Sequence, residues 1–432
     1  MFSLTYKNFI LIFIYLFFVR FATASQHLVI PEVTLKQLQD HVAILTSDLL
    51  GGRLTGSFGE TIATMYIAYE FFQLHLIPAG DDQSYFQLFQ LPDSVRPSSY
   101  LNGRNVLAKL MIASKSKKVI VIGAHADHLG YGETDASLAD KSEKNTVHSG
   151  ADDNASGVAA MLMAASILSE LKAKGLLHGD KDILFAAWSG EELGLLGSSH
   201  FLKKMNHAMQ PRKTLSETVV AYINLDMIGR LREHLLIQGV ASSSKWPKLI
   251  HKLQQHYSLS IVSQPDPYLP TDSTSFYLKK IPTVNFFTGA HSEYHTPRDK
   301  PETLNYLGMQ QTTEVLLGLI LALEETADMD YQEVNKPVVR FEGGLKVYLG
   351  TIPDYADSEM RVKLSGVIKG SPAERAGVQS GDVILALAGK KIQSINEYSF
   401  VLNSLKVGKP VEMIVLRGQV KKKLMVIGQL RE

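Results

Sequence analysis

Between residues 119 and 325, short apolar runs alternate with longer segments of helical pattern, and this alternation restricts the fold more than any other feature of the chain. Residues 119–123, 183–188, 219–225 and 283–287 are apolar stretches of strand length, too continuous for strands with one wet face. Segments 158–172, 245–256 and 303–325 read as helices. Parallel neighbours need long crossovers, so strands separated by helices predict a sheet covered on both faces. The expected fold class is α/β, with a mixed, largely parallel central sheet flanked by helices.

The 432 residues are long for one domain, and the pattern changes near residue 328. Residues 328–337 are polar and end in proline, which suits a linker. Short β-like runs follow at 338–341, 362–368, 383–387, 411–416 and 423–427, with two short helices, predicting a small β-rich domain over 338–432. At the other end, Lys7, the apolar run Phe9 to Val19 and the small-x-small triplet Ala22-Thr23-Ala24 have the form of a signal peptide. Residues 1–25 are therefore expected to direct export to the periplasm or outside the cell, leaving 26–327 as the first domain. The rival reading is an uncleaved anchor. No later segment has the apolar length of a membrane span.

That first domain opens on a helical stretch around 35–45. Ser57-Phe58-Gly59-Glu60 then has capping-box form, and Ile62, Met65, Tyr66, Tyr69 and Phe72 recur behind it at helical spacing. The expectation is an aromatic stripe facing the core. Residues 132–145 are polar and read as a surface loop.

Composition removes several functions. A formal charge of +1 leaves no excess of Lys and Arg for phosphates, so a nucleic-acid partner is not expected. With no cysteine the chain has no disulfide, and any metal falls to His and carboxylates.

Those residue types gather at one place in the pattern. His125 and Asp127 follow the run VIVIGA, Glu191 and Glu192 follow ILFAAWSG, Asp226 follows VVAYINL, and His295 lies shortly after TVNFFTG. Asp153 stands just before a helix. In open α/β sheets ligands bind beyond the carboxyl ends of the strands, so four strands deliver His or carboxylate to one edge. Singly, each has a plain alternative: a surface pair, a helix-start acid, an N-cap, a turn. Two imidazoles and three carboxylates without thiol suit two divalent ions sharing a carboxylate, with zinc favoured and cobalt or manganese as substitutes. Asp127 is placed to accept the second ring N–H of His125. Glu191, beside Glu192, fits the base that takes a proton from an activated water.

The stretches LTSDLLGGRLTGSFGE, GAHADHLG, SGADDNASGVAAMLMAA, LFAAWSGEELGLLGS, AYINLDMIGR and FFTGAHSEYHTPRDKPETLN resemble the signature blocks of the secreted bacterial di-zinc aminopeptidases. Glutamate carboxypeptidase and glutaminyl cyclase belong to the same broad family. The resemblance implies Asp153 as the bridge between two zincs, one taking His125 and Asp226, the other Glu192 and His295. It also implies Glu191 as general base, Asp127 as the orienter of His125, and Tyr294 as a hydroxyl that steadies the oxyanion. His128, His148 and His291 are expected to be non-ligands.

The run GVIKGSPAERAGVQSGDVILALAGKKI resembles PDZ domains of the bacterial protease-associated type. That likeness implies a peptide or protein C-terminus added as a strand, with Tyr348-Leu349-Gly350-Thr351 as a carboxylate loop; the alternative is a domain that only packs on the first or shapes access to it. The expected activity is removal of N-terminal residues from peptides. A carboxypeptidase, with Arg230 or Arg232 holding the substrate carboxylate, and a glutaminyl cyclase share the scaffold. A binding protein without catalysis is the remaining reading.

Overall fold

The computed structural model describes residues 33–93, 102–112, 118–134, 136–208, 214–334, 347–353, 362–392, 398, 401–402 and 404–430. The expected signal peptide and the 338–341 run lie outside them. A nine-stranded sheet forms the centre of the first domain. Its strands are β1 (Ile77–Pro78), β2 (Phe86–Gln90), β3 (Asn102–Leu110), β4 (Val119–His125), β5 (Asp182–Trp188), β6 (Val219–Leu225), β7 (Leu235–Gln238), β8 (Ile261–Gln264) and β9 (Thr283–Phe287). They lie in the order β1-β3-β5-β4-β6-β9-β7-β8, with β2 also paired to β3. The four strands β5-β4-β6-β9 are parallel, while β3 and β7 flank them antiparallel. Every residue of β4, β5, β6 and β9 is buried, which is why these segments lack polar alternation.

Helices cover both faces. Gly157–Ala173 packs with Tyr306–Glu324 and Leu35–Leu45 on one side; Leu196–Ala208 and Asp272–Tyr277 pack on the other. There Tyr222 stacks on Phe276 at 3.7 Å, and Trp188 Nε1 donates to the Tyr222 hydroxyl at 2.8 Å. Gly123 of β4 makes that bond possible, since a Cβ there would lie 2.3 Å from Trp188 Nε1. Among the described residues, Ala151–Ala173 is the one helix long and apolar enough to cross a membrane, and 83% of its apolar window is buried in this core.

The helix Phe58–Gln73 departs from expectation. Ser57 Oγ accepts from Glu60 N, but the Glu60 carboxylate reaches back to Gly56 N, one residue before the box position. Its aromatic stripe faces solvent: Met65 and Tyr69 are each 56% exposed and Phe72 61%. Gly59, Ala63, Thr64, Ile67, Ala68 and Phe71 are the buried face. The helix is apolar on both sides: Phe71 is buried beside Tyr85 and Phe185, Gly59 packs against the Leu50 backbone, and Tyr66 of the stripe is half-buried with its hydroxyl on His41.

Residues 328–334 have no regular structure yet are fastened to the first domain. Ser243 Oγ and Ser244 Oγ donate to Asp330, and Val334 N donates to the Tyr277 hydroxyl. The C-terminal domain comprises β10 (Val347–Tyr348), β11 (Thr351–Pro353), β12 (Val362–Val367), β13 (Val383–Leu387), β14 (Lys390–Lys391), β15 (Pro410–Arg417), β16 (Val420–Ile427) and β17 (Gln429–Leu430). β11-β12-β13-β15-β16 are neighbours in one antiparallel sheet around Leu364, Ile384, Leu387, Met413 and Val415. The Asp382 carboxylate, fully buried, receives both Nε and Nη2 of Arg417 at 2.7 and 2.8 Å.

Candidate metal centre

β4 lies between β5 and β6, so the chain leaves it to one side for β5 and crosses to the other for β6. That reversal opens a crevice at the carboxyl ends, and all the expected ligands converge there. His125 closes β4 and Asp226 follows β6 directly. Asp153 sits in the irregular turn Ala151–Ser156 that leads into the helix Gly157–Ala173, with φ −107° and ψ 88° instead of helical values. Gly150 enters this turn at φ +55°; a Cβ there would press on the His128 ring at 2.5 Å.

The two oxygens of Asp153 divide the site. Oδ1 lies 3.1 Å from His125 Nε2, which is 3.5 Å from Asp226 Oδ1. Oδ2 lies 3.0 Å from His295 Nε2, which is 3.1 Å from Glu192 Oε2. Each carboxylate oxygen therefore heads its own trio of donors. The other ring nitrogens face backbone carbonyls: His125 Nδ1 that of Asp127 at 3.2 Å, His295 Nδ1 that of Ala136 at 2.9 Å. An Nδ1–H held by a carbonyl points Nε2 into the crevice, where it would offer a lone pair to a cation that displaced its proton. The donor set fits divalent cations: oxygen and imidazole nitrogen, buried, convergent, and net negative.

Burial opposes charge on Asp153, but hydrogen bonds from His125 and His295 prevail and hold its carboxyl well below the usual range. Burial likewise opposes charge on the histidines, yet the acids around them win. His125 is raised well above its ordinary value by Glu191, Asp153 and Asp226, and His295 to about 10 by Glu192 and Asp153. Glu191 goes the other way. Burial, then Glu192, Asp226 and Asp272, push its carboxyl well up, with His125 pulling back. Protons on the imidazoles answer this excess of carboxylate; divalent cations in their place would reverse the order of these values.

Asp127 works through a different contact from the one expected. Its carboxylate is 3.9 Å from His125 Nδ1, farther than its own carbonyl, and accepts instead from the Thr55 hydroxyl at 2.8 Å and Glu191 N at 3.2 Å. It thus ties the β5 turn to the β4 turn. The Glu191 carboxylate makes no hydrogen bond among the described residues and lies within 4.8 Å of His125 and Glu192 donor atoms. The Tyr294 ring stacks on His295 at 3.7 Å and joins an apolar patch of Met227, Leu236, Phe287, Val262 and Ala290. Burial and the carboxylates of Asp153, Glu192, Glu191 and Asp226 keep its hydroxyl protonated, well above the ordinary tyrosine value.

Several residues take supporting contacts that the sequence reading did not assign to them. Arg53 is buried and donates to the carbonyls of Leu45, Ala126, Ser149 and Gly150, joining the turns that carry His125 and Asp153. His128, expected to be a non-ligand, has its Nδ1 2.8 Å from Glu192 Oε1 and 3.8 Å from Asp153 Oδ2, close enough to both for the three to share an ion on the side where His295 also stands. Asp152 Oδ1 accepts from Gly229 N at 2.6 Å, and its Oδ2 lies 3.1 Å from His291 Nε2, a buried pair behind the site. Asp272 is buried with neither oxygen bonded, and burial raises it to about 7. The only signal for these was their presence inside the quoted blocks or at a helix start.

Fold and site together define an α/β protein whose sheet edge gathers histidines and carboxylates in the manner of a metal-dependent hydrolase. The chain belongs to peptidase family M28, whose pattern matches residues 105–320, and a PDZ domain pattern matches residues 364–417. It is 29% identical over 184 residues to aminopeptidase YwaD of Bacillus subtilis, covering 40% of this chain and 37% of that one. It is 26% identical over 197 residues to a probable leucine aminopeptidase 2 of Aspergillus fumigatus, covering 44% and 34%. The match thus spans a little over a third of these relatives. Among solved structures, a zinc aminopeptidase from Bacillus subtilis superposes with a TM-score of 0.55 at 16% identity, over 70% of this chain and 99% of that one. The LapA aminopeptidase of Legionella pneumophila gives 0.52 at 19% identity, over 68% and 73%. These likenesses show the shared fold.

Proposed function

We propose that the protein is an aminopeptidase with two zinc ions bridged by Asp153, one held also by His125 and Asp226, the other by Glu192 and His295. The observation that carries this is the division of the Asp153 carboxylate between two donor trios. Two such ions would supply Lewis-acid polarisation of the scissile carbonyl and acidification of a water. Glu191, unbonded among the described residues and within reach of His125 and Glu192, would accept a proton from the attacking water and pass it to the departing amine. The Tyr294 hydroxyl, kept protonated by its acidic surroundings, donates to the developing oxyanion. The patch of Met227, Leu236, Phe287 and Tyr294 beside Asp226 and His295 receives an apolar first side chain.

The net negative site suits a substrate ammonium group. The carboxypeptidase alternative needs a free cation, but Arg230 lies 3.5 Å from Glu293 and 3.7 Å from Asp299, and Arg232 turns to the Ala290 carbonyl. Export through residues 1–25 and a peptide strand added beside β11, the edge of its sheet, complete the proposal.

The test is Glu191→Ala. It should retain zinc while hydrolysis of leucyl p-nitroanilide falls about 10²–10⁴-fold, and an acetylated amine should resist the native enzyme. Near-native turnover by the variant overturns the base; cleavage of blocked substrates overturns the aminopeptidase reading.

A further inference from the structure

We propose that Asp299 is a positioning residue that sets the bridge between the two cations, by holding the backbone from which Asp153 projects. The inference rests on the two-cation reading above and concerns how the chain keeps that site in register.

Asp299 is fully buried, and its carboxylate oxygens accept from Asp152 N at 2.9 and 3.1 Å and from Asp153 N at 3.0 Å. Its carbonyl accepts from Ala151 N at 3.1 Å and from the Ser149 hydroxyl at 2.9 Å. One residue thereby takes donors from four of the five residues between 149 and 153. These amides need an outside partner because Asp153 is not helical, so the turn cannot satisfy them itself.

Asp299 also belongs to the turn that carries His295. Asp299 N donates to the Thr296 carbonyl, and Thr296 N to that of Glu293. A single short segment therefore grips the bridge twice. His295 Nε2 meets Asp153 Oδ2 on the metal side, and the Asp299 carboxylate meets Asp153 N from behind. Moving Asp299 changes the spacing of both donor trios at once, because both are headed by the same carboxylate. A neutral residue would give a weaker clamp, since hydrogen bonds to an ionised acceptor are about twice as strong as neutral ones. Arg230, 3.7 Å away, offsets the charge that this placement buries.

The test is zinc binding by the apoprotein, measured by competition with a chromophoric chelator, together with the visible spectrum of the cobalt-substituted protein. Asp299→Asn keeps the shape and one oxygen for both amides, but removes the negative charge and sets an NH2 group, a donor, against Asp152 N where Oδ1 had accepted. Both zinc dissociation constants should rise about 10–100-fold, and the cobalt bands should shift, in protein that remains folded by circular dichroism. A residue that merely stabilises the fold would lower the melting temperature and leave affinities and spectrum unchanged. Affinities within threefold of native overturn the proposal. Should Asp299→Asn not fold, Asp299→Glu, with the charge kept and the acceptors displaced, takes its place; failure of both to fold even in excess zinc also overturns it. A native protein that binds fewer than two zincs refutes the two-cation reading instead.

Discussion

Glu60 offers a test of the buried network that needs no turnover assay. Its carboxyl sits where the helix Phe58–Gln73 meets the sheet, accepting from Gly56 N at 2.6 Å and from the Ser189 hydroxyl. Burial, and next the charge of Asp127, raise it to about 8, although those two hydrogen bonds favour the anion. The unfolded chain releases this proton near 4.5, the native protein near 8, so between these values the native state binds the extra proton. Stability from this group is complete below pH 4.5, falls by about 1.4 kcal/mol per unit as pH rises, and levels off above 8. The whole effect is on the order of 5 kcal/mol, a large share of a domain's stability. Glu60→Gln keeps an acceptor for Gly56 and offers Ser189 a donor, but cannot ionise. Urea unfolding at pH 5, 6, 7 and 8 should give a native curve that falls more steeply than the variant's, with equal m-values. Parallel curves would show that Glu60 is ionised in the native state and that its two hydrogen bonds outweigh its burial.

Arg53→Lys retains charge but cannot serve four carbonyls, so it should cost about 3 kcal/mol in urea unfolding and weaken zinc binding, because the Ala126 and Ser149–Gly150 turns lose their common donor. A loss under about 1 kcal/mol, within the ordinary net value of one hydrogen bond, would contradict that role. On the helix Phe58–Gln73, Ile67→Ala should cost about 2–5 kcal/mol and Met65→Ala less than about 0.5, since Ile67 is fully buried and Met65 mostly exposed. Equal losses would mean that the outer stripe is covered in solution.

The gathering of His125, Asp153, Glu192, Asp226 and His295 at one edge was legible because chain position encodes it. A parallel sheet sends every strand's carboxyl end to one edge, so His125, Asp226 and Glu192 declare themselves as polar residues directly after apolar runs. Strands β1, β2, β7 and β8 carried weaker signals because they are short, and β3, though nine residues long and mostly buried, has its apolar run broken by Arg104, Asn105 and Lys109. Periodicity misled at the helix Phe58–Gln73 for a specific reason. Ile62, Met65, Tyr69 and Phe72 recur at helical spacing, but so do Gly59, Ala63, Ile67 and Phe71, and a pattern with two apolar faces does not say which one is inside. Asp299 and Arg53 were hidden for another reason, since both act on backbone groups: Asp299 on amides 146 and 147 positions away, Arg53 on carbonyls as far as 97. Peptide groups have no residue identity, so no spacing of side-chain types reveals who holds them. Residues that converge at the sheet edge can thus be read from a sequence of this fold, while those that hold the backbone bearing them emerge only from the folded chain. Arg53 holds the carbonyls of Ser149 and Gly150 while Asp299 takes the Ser149 hydroxyl and the amides of Ala151, Asp152 and Asp153, so the stretch that bears Asp153 is fixed through its acceptors by one residue and through its donors by the other.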